Sequence, residues 1–389
     1  MSNSETKPKL RSGLILGGGG ARAAYQVGVL KAIAELVPEG SENPFPVICG
    51  TSAGSINTIA LASNASNFHE GVRRITHVWQ NFQLHHVFYS DAKSLSKRIG
   101  QWAWCNLGPG NWSKGPSSLL DNEPLRELLN EHISFKKIDQ SIKSGELHGY
   151  CLTACSYTSG ESTTFYDGHP NIEDWTRTHR SGVRTTLSIE HLMASSAIPV
   201  VFPSVKLDDE HFGDGSMRQI SPISPALHLG AEKLLIIGLR KARDESTPKK
   251  PKIPTKLRPS LGQISGYVLD TLFLNSLNSD IERMERMNNT LRESQQYNTT
   301  ISGSSAKLNI IEHIVISPSE DIADIAMKHY KGLPKAFRTA LKFLGMTKGN
   351  SRRFISYLMF SEKFCTELIE LGYRDALAKQ NELTEFLAK

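Results

Sequence analysis

The 389-residue sequence predicts an α/β protein, a three-layer α/β/α arrangement around a mostly parallel central sheet with a helical C-terminal extension. Three observations predict it. Short apolar runs alternate with stretches of helical periodicity, the pattern of a sheet covered on both faces. Leu14-Ile15-Leu16 runs straight into Gly17-Gly18-Gly19-Gly20-Ala21-Arg22, and a helical repeat with Val27, Leu30, Ile33 and Leu36 follows. Val47-Ile48-Cys49 likewise enters Gly50-Thr51-Ser52-Ala53-Gly54 and leaves through Ile56 to Ala62.

The elements follow in order. Residues 1–12 form a polar, basic tail that lacks the apolar stretch of a signal peptide. The main domain is expected over 13–318, with strands at Gly13–Leu16, Val47–Cys49, Tyr150–Ser156, Ser162–Tyr166, Leu234–Leu239 and Glu312–Ser317. The stretch 77–149 exceeds what simple alternation requires and reads as a lid-like or cap insertion. It holds Trp79, Trp102, Trp104 and Trp112 near Lys97, Arg98 and Lys114, which suits either an interfacial lipid contact or core filling. Residues 240–260 are Pro-rich and crowded with Lys and Arg, the composition of an exposed loop. Leu261 to Arg292 carries Leu269, Leu272, Phe273, Leu277 and Ile281 at three-to-four spacing, a long helix that a further strand keeps within the same domain. Residues 319–389 read as helices. There Leu333, Phe337, Leu341 and Leu344 share one face, so this helix either packs on the core or lies on a membrane.

The serine turn has the form of a nucleophile elbow. Its backbone is crowded, so the small residues Gly50 and Gly54 must sit two positions either side of Ser52. The serine then stands at a helix N-terminus, where orphan N–H groups and the positive dipole end favour the charge that develops in acyl transfer. Consecutive glycines between a strand and a helix let several N–H groups converge on one anion, a phosphate or a tetrahedral oxyanion. Phe212-Gly213-Asp214-Gly215-Ser216 sets an aspartate between glycines, able to approach another backbone and accept a serine proton. Each residue also has a plainer reading: Ser52 could cap a helix, and Asp214 could form a turn.

A glycine loop, a serine elbow and an Asp-Gly pair in this chain order closely resemble the patatin-like phospholipase family. Ala24-Tyr25-Gln26-Val27-Gly28-Val29-Leu30 and Ala194-Ser195-Ser196-Ala197-Ile198-Pro199-Val200-Val201-Phe202-Pro203 extend the likeness, which covers residues 13 to 240. One departure is Ala23, where the family usually has glycine. The resemblance implies a patatin-like fold and a lipid acyl hydrolase with a two-residue site. Ser52 would be the nucleophile and Asp214 its direct general base, with the amides of Gly18, Gly19 and Gly20 as the oxyanion hole. Gly50, Gly54 and Gly215 would support that geometry, and Arg22 would anchor the glycine loop or meet a headgroup phosphate. The implied substrate is a phospholipid or lysophospholipid, cleaved through an acyl-serine with no cofactor and no metal.

Three other readings stay open. An α/β-hydrolase triad would join Ser52 and Asp214 to His228, although no glycine-flanked motif marks that histidine. Gly18-x-Gly20-x-x-Ala23 after a strand matches a relaxed dinucleotide fingerprint, although Cys49-Gly50-Thr51 stands where a ribose-binding acid belongs. A lipid-binding protein without turnover is the third.

Composition narrows the class. With 39% hydrophobic and 22% charged residues, the chain can bury a large core. Asn43 to Phe68 has no charged residue, yet its Ser, Asn, Thr and Gly content argues against a membrane span. Five cysteines without C-x-x-C spacing suggest a reducing, cytoplasmic setting, with peripheral contact at the inner membrane face as an option. A net charge of +6 asks for an acidic partner. The basic loop could meet anionic headgroups, each side chain contributing about 1 kcal/mol. Nucleic acid is not expected, since no binding motif accompanies the charge. The helical extension is compatible with a homo-oligomer.

Overall fold

A ten-stranded sheet organises the computed structural model, which describes residues 10–107, 118–241, 261–296, 309–343 and 352–388. In chain order its strands are β1 (Ser12–Leu16), β2 (Val47–Thr51), β3 (Gly149–Ser156), β4 (Ser162–Gly168), β5 (Trp175–Arg177), β6 (Arg180–Arg184), β7 (Val205–Leu207), β8 (Glu210–Asp214), β9 (Lys233–Ile237) and β10 (Glu312–Ile316). The centre is parallel, in the order β10-β9-β1-β2-β3, as the alternation of strand and helix requires. Beyond β3 the pairing becomes antiparallel with β4, and β6 and β5 form the far edge. β8 pairs antiparallel with the last residues of β3, on the side that β2 leaves open where it ends.

The helices are α1 (Ala24–Leu36), α2 (Ala53–Ala62) and α3 (Phe68–Gln80), then α4 (Ala92–Leu107), α5 (Glu123–His132) and α6 (Phe135–Ser144) before β3. α7 (Ile189–Ser195) and α8 (Ser224–His228) flank the β7–β8 hairpin, and α9 (Leu261–Gln296) precedes β10. The chain closes with α10 (Ile322–His329), α11 (Lys335–Phe343), α12 (Arg352–Tyr357), α13 (Glu362–Leu377) and α14 (Gln380–Ala388).

Strand alternation divides the core in two. Leu14, Leu16, Ile48, Leu152, Leu235 and Ile237 face one layer, which α1, α2, α3 and α13 cover. Ile15, Val47, Cys49, Cys151, Leu234 and Ile236 face the other, where α8 and the Leu277, Ile281 and Met284 side chains of α9 pack. Both faces are therefore apolar, which is why these strands read as continuous hydrophobic runs. α13 lies tight along α1 because glycines meet backbone. A Cβ on Gly28 would overlap the Ile369 carbonyl, and one on Gly372 would overlap that of Tyr25.

Several expectations change. The apolar stretch from Ile198 runs irregularly until β7 begins at Val205, and Val200 holds a positive φ of 68°. Its carbonyl and that of Val201 accept from the Leu119 and Leu120 amides instead of a sheet ladder. Short strands β5 to β8 escape the periodicity because three- to five-residue polar segments carry too little pattern. Trp79 is buried and its indole N–H donates to Asn57 Oδ1 at 2.8 Å, so it fills the core, whereas Trp104 is 64% exposed. Leu333, Phe337 and Leu341 are buried, so the amphipathic face of α11 packs on the core rather than on a membrane. Trp112, Leu344 and most of the basic Pro-rich loop lie outside the described residues. Among the described residues no helix is long and apolar enough to cross a membrane.

Candidate active site

Sheet register brings Ser52 to Asp214. β2 ends at Thr51 opposite Thr153, and β8, running the other way, ends at Asp214 opposite the next residue, Ala154. The two strand ends therefore meet head to head beside β3. Ser52 Oγ donates to Asp214 Oδ2 at 2.5 Å.

The elbow has the crowding that its sequence implies. Ser52 adopts φ 55° and ψ −130°, a strained conformation for a residue with a side chain. A Cβ on Gly50 would lie 2.6 Å from the Gly54 carbonyl oxygen, and one on Gly54 would overlap that of Leu16. Ser195, at the end of α7, receives the Ser52 N–H at 3.0 Å and donates its own hydroxyl to Thr153 O at 2.7 Å. That bridge ties the elbow to β3.

Asp214 is wholly buried. Its Oδ1 accepts the Ser216 N–H at 2.9 Å, and a Cβ on Gly215 would overlap the Thr153 carbonyl, so glycine is required for the close approach. Burial pushes the carboxyl up to about 6, while hydrogen bonds from Ser52 and Ser216 restrain the rise. The group is thus ionised at neutral pH yet more basic than an exposed aspartate. Such a carboxylate is suited to take a proton directly from a bonded hydroxyl.

The glycine loop leaves β1 beside this pair. Gly20 has φ +54° and borders the cavity above Ser52, while Gly18 borders a separate hollow of about 30 Å³. A buried relay braces the loop. Trp79 donates to Asn57, Asn57 Nδ2 donates to Gln26 Oε1 at 2.9 Å, and Gln26 Nε2 donates to Gly17 O at 2.8 Å. Arg22 is 3% exposed, with Nε on Ser356 Oγ at 2.8 Å, Nη2 on Arg353 O at 3.1 Å, and its guanidinium carbon 4.0 Å from the centre of the Tyr357 ring. These contacts anchor the loop to α12.

Above Ser52 opens a cavity of about 500 Å³. Ala60, Val78, Phe82, Leu125, Phe202 and Phe360 supply an apolar wall. Phe360 meets Phe82 edge to face at 5.4 Å, so the C-terminal segment helps to form it.

Two alternatives are overturned. His228 stacks on Trp175 at 4.5 Å and shares a cavity with Arg11 and His148, residues that precede the starts of β1 and β3. Ser52 lies past the other end of β2, so a strand length of about 16 Å separates them and no triad forms. The hollow that Gly17 and Gly18 border is only about 30 Å³, and among the described residues no Asp or Glu lines it to meet a ribose hydroxyl.

Sequence reasoning missed the positioning residues. Gln26 and Asn57 carried little signal, because α1 also holds Lys31 and Glu35 and α2 also holds Ser55 and Thr58. Ser356 and Phe360 carried none, because their partners are distant in sequence.

Fold and site together define an α/β protein with a serine–aspartate pair at the carboxyl end of its parallel strands. The family model for patatin-like phospholipases matches residues 14–227, and the chain belongs to that family. A "cGAMP-activated phospholipase" of Pseudomonas aeruginosa (strain BWHPSA011 / Pa011) is 27% identical over 218 residues, 55% of this chain and 55% of the relative. The aligned part thus spans about half of that protein's length. Among solved structures, VipD from Legionella pneumophila aligns over 96% of this chain and 67% of its own at 10% identity and a TM-score of 0.37. Human GIVD cytosolic phospholipase A2, in complex with methyl gamma-linolenyl fluorophosphonate, aligns over 97% and 59% at 11% identity and a TM-score of 0.41.

Proposed function

We propose that this chain is a serine acyl hydrolase that cleaves fatty-acyl esters of phospholipids or lysophospholipids through Ser52 and Asp214. The observation that carries the reading is the 2.5 Å hydrogen bond to a buried Asp214 from the Oγ of Ser52, which itself lines an apolar cavity. An acyl chain would lie along Val78, Phe82 and Phe360, with its ester carbonyl over Ser52. As Ser52 Oγ attacks the carbonyl carbon, its proton passes to Asp214 and the carbonyl oxygen becomes an oxyanion. Amides of Gly18, Gly19 and Gly20 are the proposed donors to it, where one lost donor typically costs about 3 kcal/mol. Collapse breaks the ester bond, and Asp214 returns the proton to the leaving alcohol. Water, deprotonated by the same carboxylate, then attacks the acyl-serine; the Ser52 Oγ–acyl bond breaks, Asp214 returns the proton to Oγ, and the fatty acid leaves. The lipid surface itself would be met near α4, where Trp104 stands exposed.

The test is fatty-acid release from mixed phospholipid vesicles and from a short-chain p-nitrophenyl ester, with Ser52→Ala and Asp214→Asn as variants. Each assay is run with and without added cGAMP, since the Pseudomonas relative is described as cGAMP-activated. Loss of activity in both variants is expected. Turnover that survives Ser52→Ala would remove the serine-hydrolase reading.

A further inference from the structure

At the amino ends of β1 and β3, remote from Ser52, lies a second cavity of about 800 Å³. Arg11, His148, His169, Arg177 and His228 border it, against Glu173 and Asp174. The Asp174 carboxylate is already engaged, accepting from the Tyr166 hydroxyl at 2.8 Å and from the Arg184 N–H at 2.8 Å. The arginines have no such partner. Among the described residues, Arg11 Nη1 donates to Gly230 O at 2.9 Å and Arg177 Nη1 to Thr176 O at 2.9 Å, both main-chain carbonyls, and neither guanidinium has a carboxylate in ion-pair range.

The imidazoles are held as flat stacks. His148 lies on His169 at 5.1 Å and 16°, and His228 lies on Trp175 at 4.5 Å and 7°. The Asn171 N–H donates to His169 Nδ1 at 3.3 Å, so the neutral ring carries its proton on Nε2 and presents a donor. Among the described residues, the rings of His148 and His228 make no hydrogen bond. Burial and the Arg11 charge push His148 down to about 4, and burial with Arg177 and Arg180 does the same to His228. Both depressions report one condition, a half-buried pocket whose fixed positive charge resists more of the same sign.

We propose that this cavity is a binding site for a phosphate-bearing small molecule, with Arg11 and Arg177 on the phosphate oxygens and the histidine stacks beside them. Guanidinium forks match the several oxygens of a phosphate better than a single carboxylate edge, and they stay charged at every working pH. The volume exceeds that of an inorganic ion, leaving room for the group the phosphate carries. An anion there would also offset the Arg11, Arg177 and Arg180 charges that hold His148 and His228 down. The inference is independent of the Ser52 chemistry.

The experiment is titration calorimetry on the full chain carrying Ser52→Ala, which removes turnover, with three probes: inorganic phosphate, AMP and glycerophosphocholine. At least one probe is expected to bind with a Kd of about 1 mM or tighter. Arg177→Gln and His228→Gln, side chains at the cavity rim, should each weaken it about tenfold. Preference for AMP assigns a nucleotide, preference for glycerophosphocholine a lipid headgroup, and equal affinity a free phosphate. The proposal fails if none of the three binds, or if binding is unchanged in both folded variants.

Discussion

Gly20 and Tyr357 touch so closely that a β-carbon on the glycine would overlap the tyrosine carbonyl oxygen. The C-terminal helix α12 is thus seated against the loop that borders Ser52, and Arg22 pins it there through Ser356 and Arg353. Gly20→Ala should therefore push α12 and the loop apart, the more so because φ +54° disfavours any side chain. Ser356→Ala strips a buried guanidinium of one acceptor, a loss of about 1–3 kcal/mol. Both variants should melt lower and lose kcat with little change in KM; an unchanged kcat in folded Gly20→Ala would detach this contact from catalysis.

Asp214 should set the acid limb of the pH profile. The base must be ionised to accept the Ser52 proton, so kcat/KM should fall as pH drops through about 6. Asp214→Asn should reduce turnover by about 10²–10⁴-fold.

The same carboxyl makes a stability prediction of opposite sign. Its folded-state value of about 6 lies above that of an unfolded aspartate, so the folded state holds the proton more tightly. That contribution is complete below pH ~4 and is lost as pH rises through about 6, the loss amounting to roughly 3 kcal/mol by pH ~8 for a shift of about two units. Denaturant unfolding of wild type and Asp214→Asn should show the variant gaining on wild type between pH 4 and pH 8. A constant difference would contradict the shifted carboxyl.

Strain at the elbow gives a further comparison. Ser52→Ala keeps a β-carbon at φ 55°, whereas Ser52→Gly relieves a conformation that costs about 1–3 kcal/mol. Both remove the nucleophile. The glycine variant should nonetheless be the more stable by about 1 kcal/mol, after the entropy cost of glycine is deducted, as read from denaturation midpoints.

Phe360 narrows the cavity against Phe82. Phe360→Leu should keep the chain folded while widening the apolar wall, shifting relative kcat/KM toward bulkier acyl groups. A panel of p-nitrophenyl esters of increasing chain length measures this. An unchanged ranking would place the acyl chain elsewhere.

Much of the centre of this molecule was legible in its sequence because the relevant physics is local. Gly50, Ser52 and Gly54 declare a turn whose crowding excludes larger side chains, and Leu14 to Leu16 and Val47 to Cys49 declare strands buried on both faces. Six strand positions follow from such runs. Strands β5 to β8 do not, because a three-residue strand such as Val205–Leu207 exists only through its partner. The amphipathic pattern at Leu333, Phe337 and Leu341 was visible, but a helical face looks the same whether protein or lipid covers it.

What the sequence determined by itself was therefore the set of chemically capable parts and their order: a glycine loop, a serine elbow and a glycine-flanked aspartate. Tertiary structure decided which of them meet. Only the antiparallel docking of β8 against the end of β3 brings Asp214 to Ser52, and only the opposite polarity of the strand ends carries His228 away. Contacts of that kind join residues far apart in the chain, and their energy comes from the burial of both faces of one sheet, a property no local segment contains.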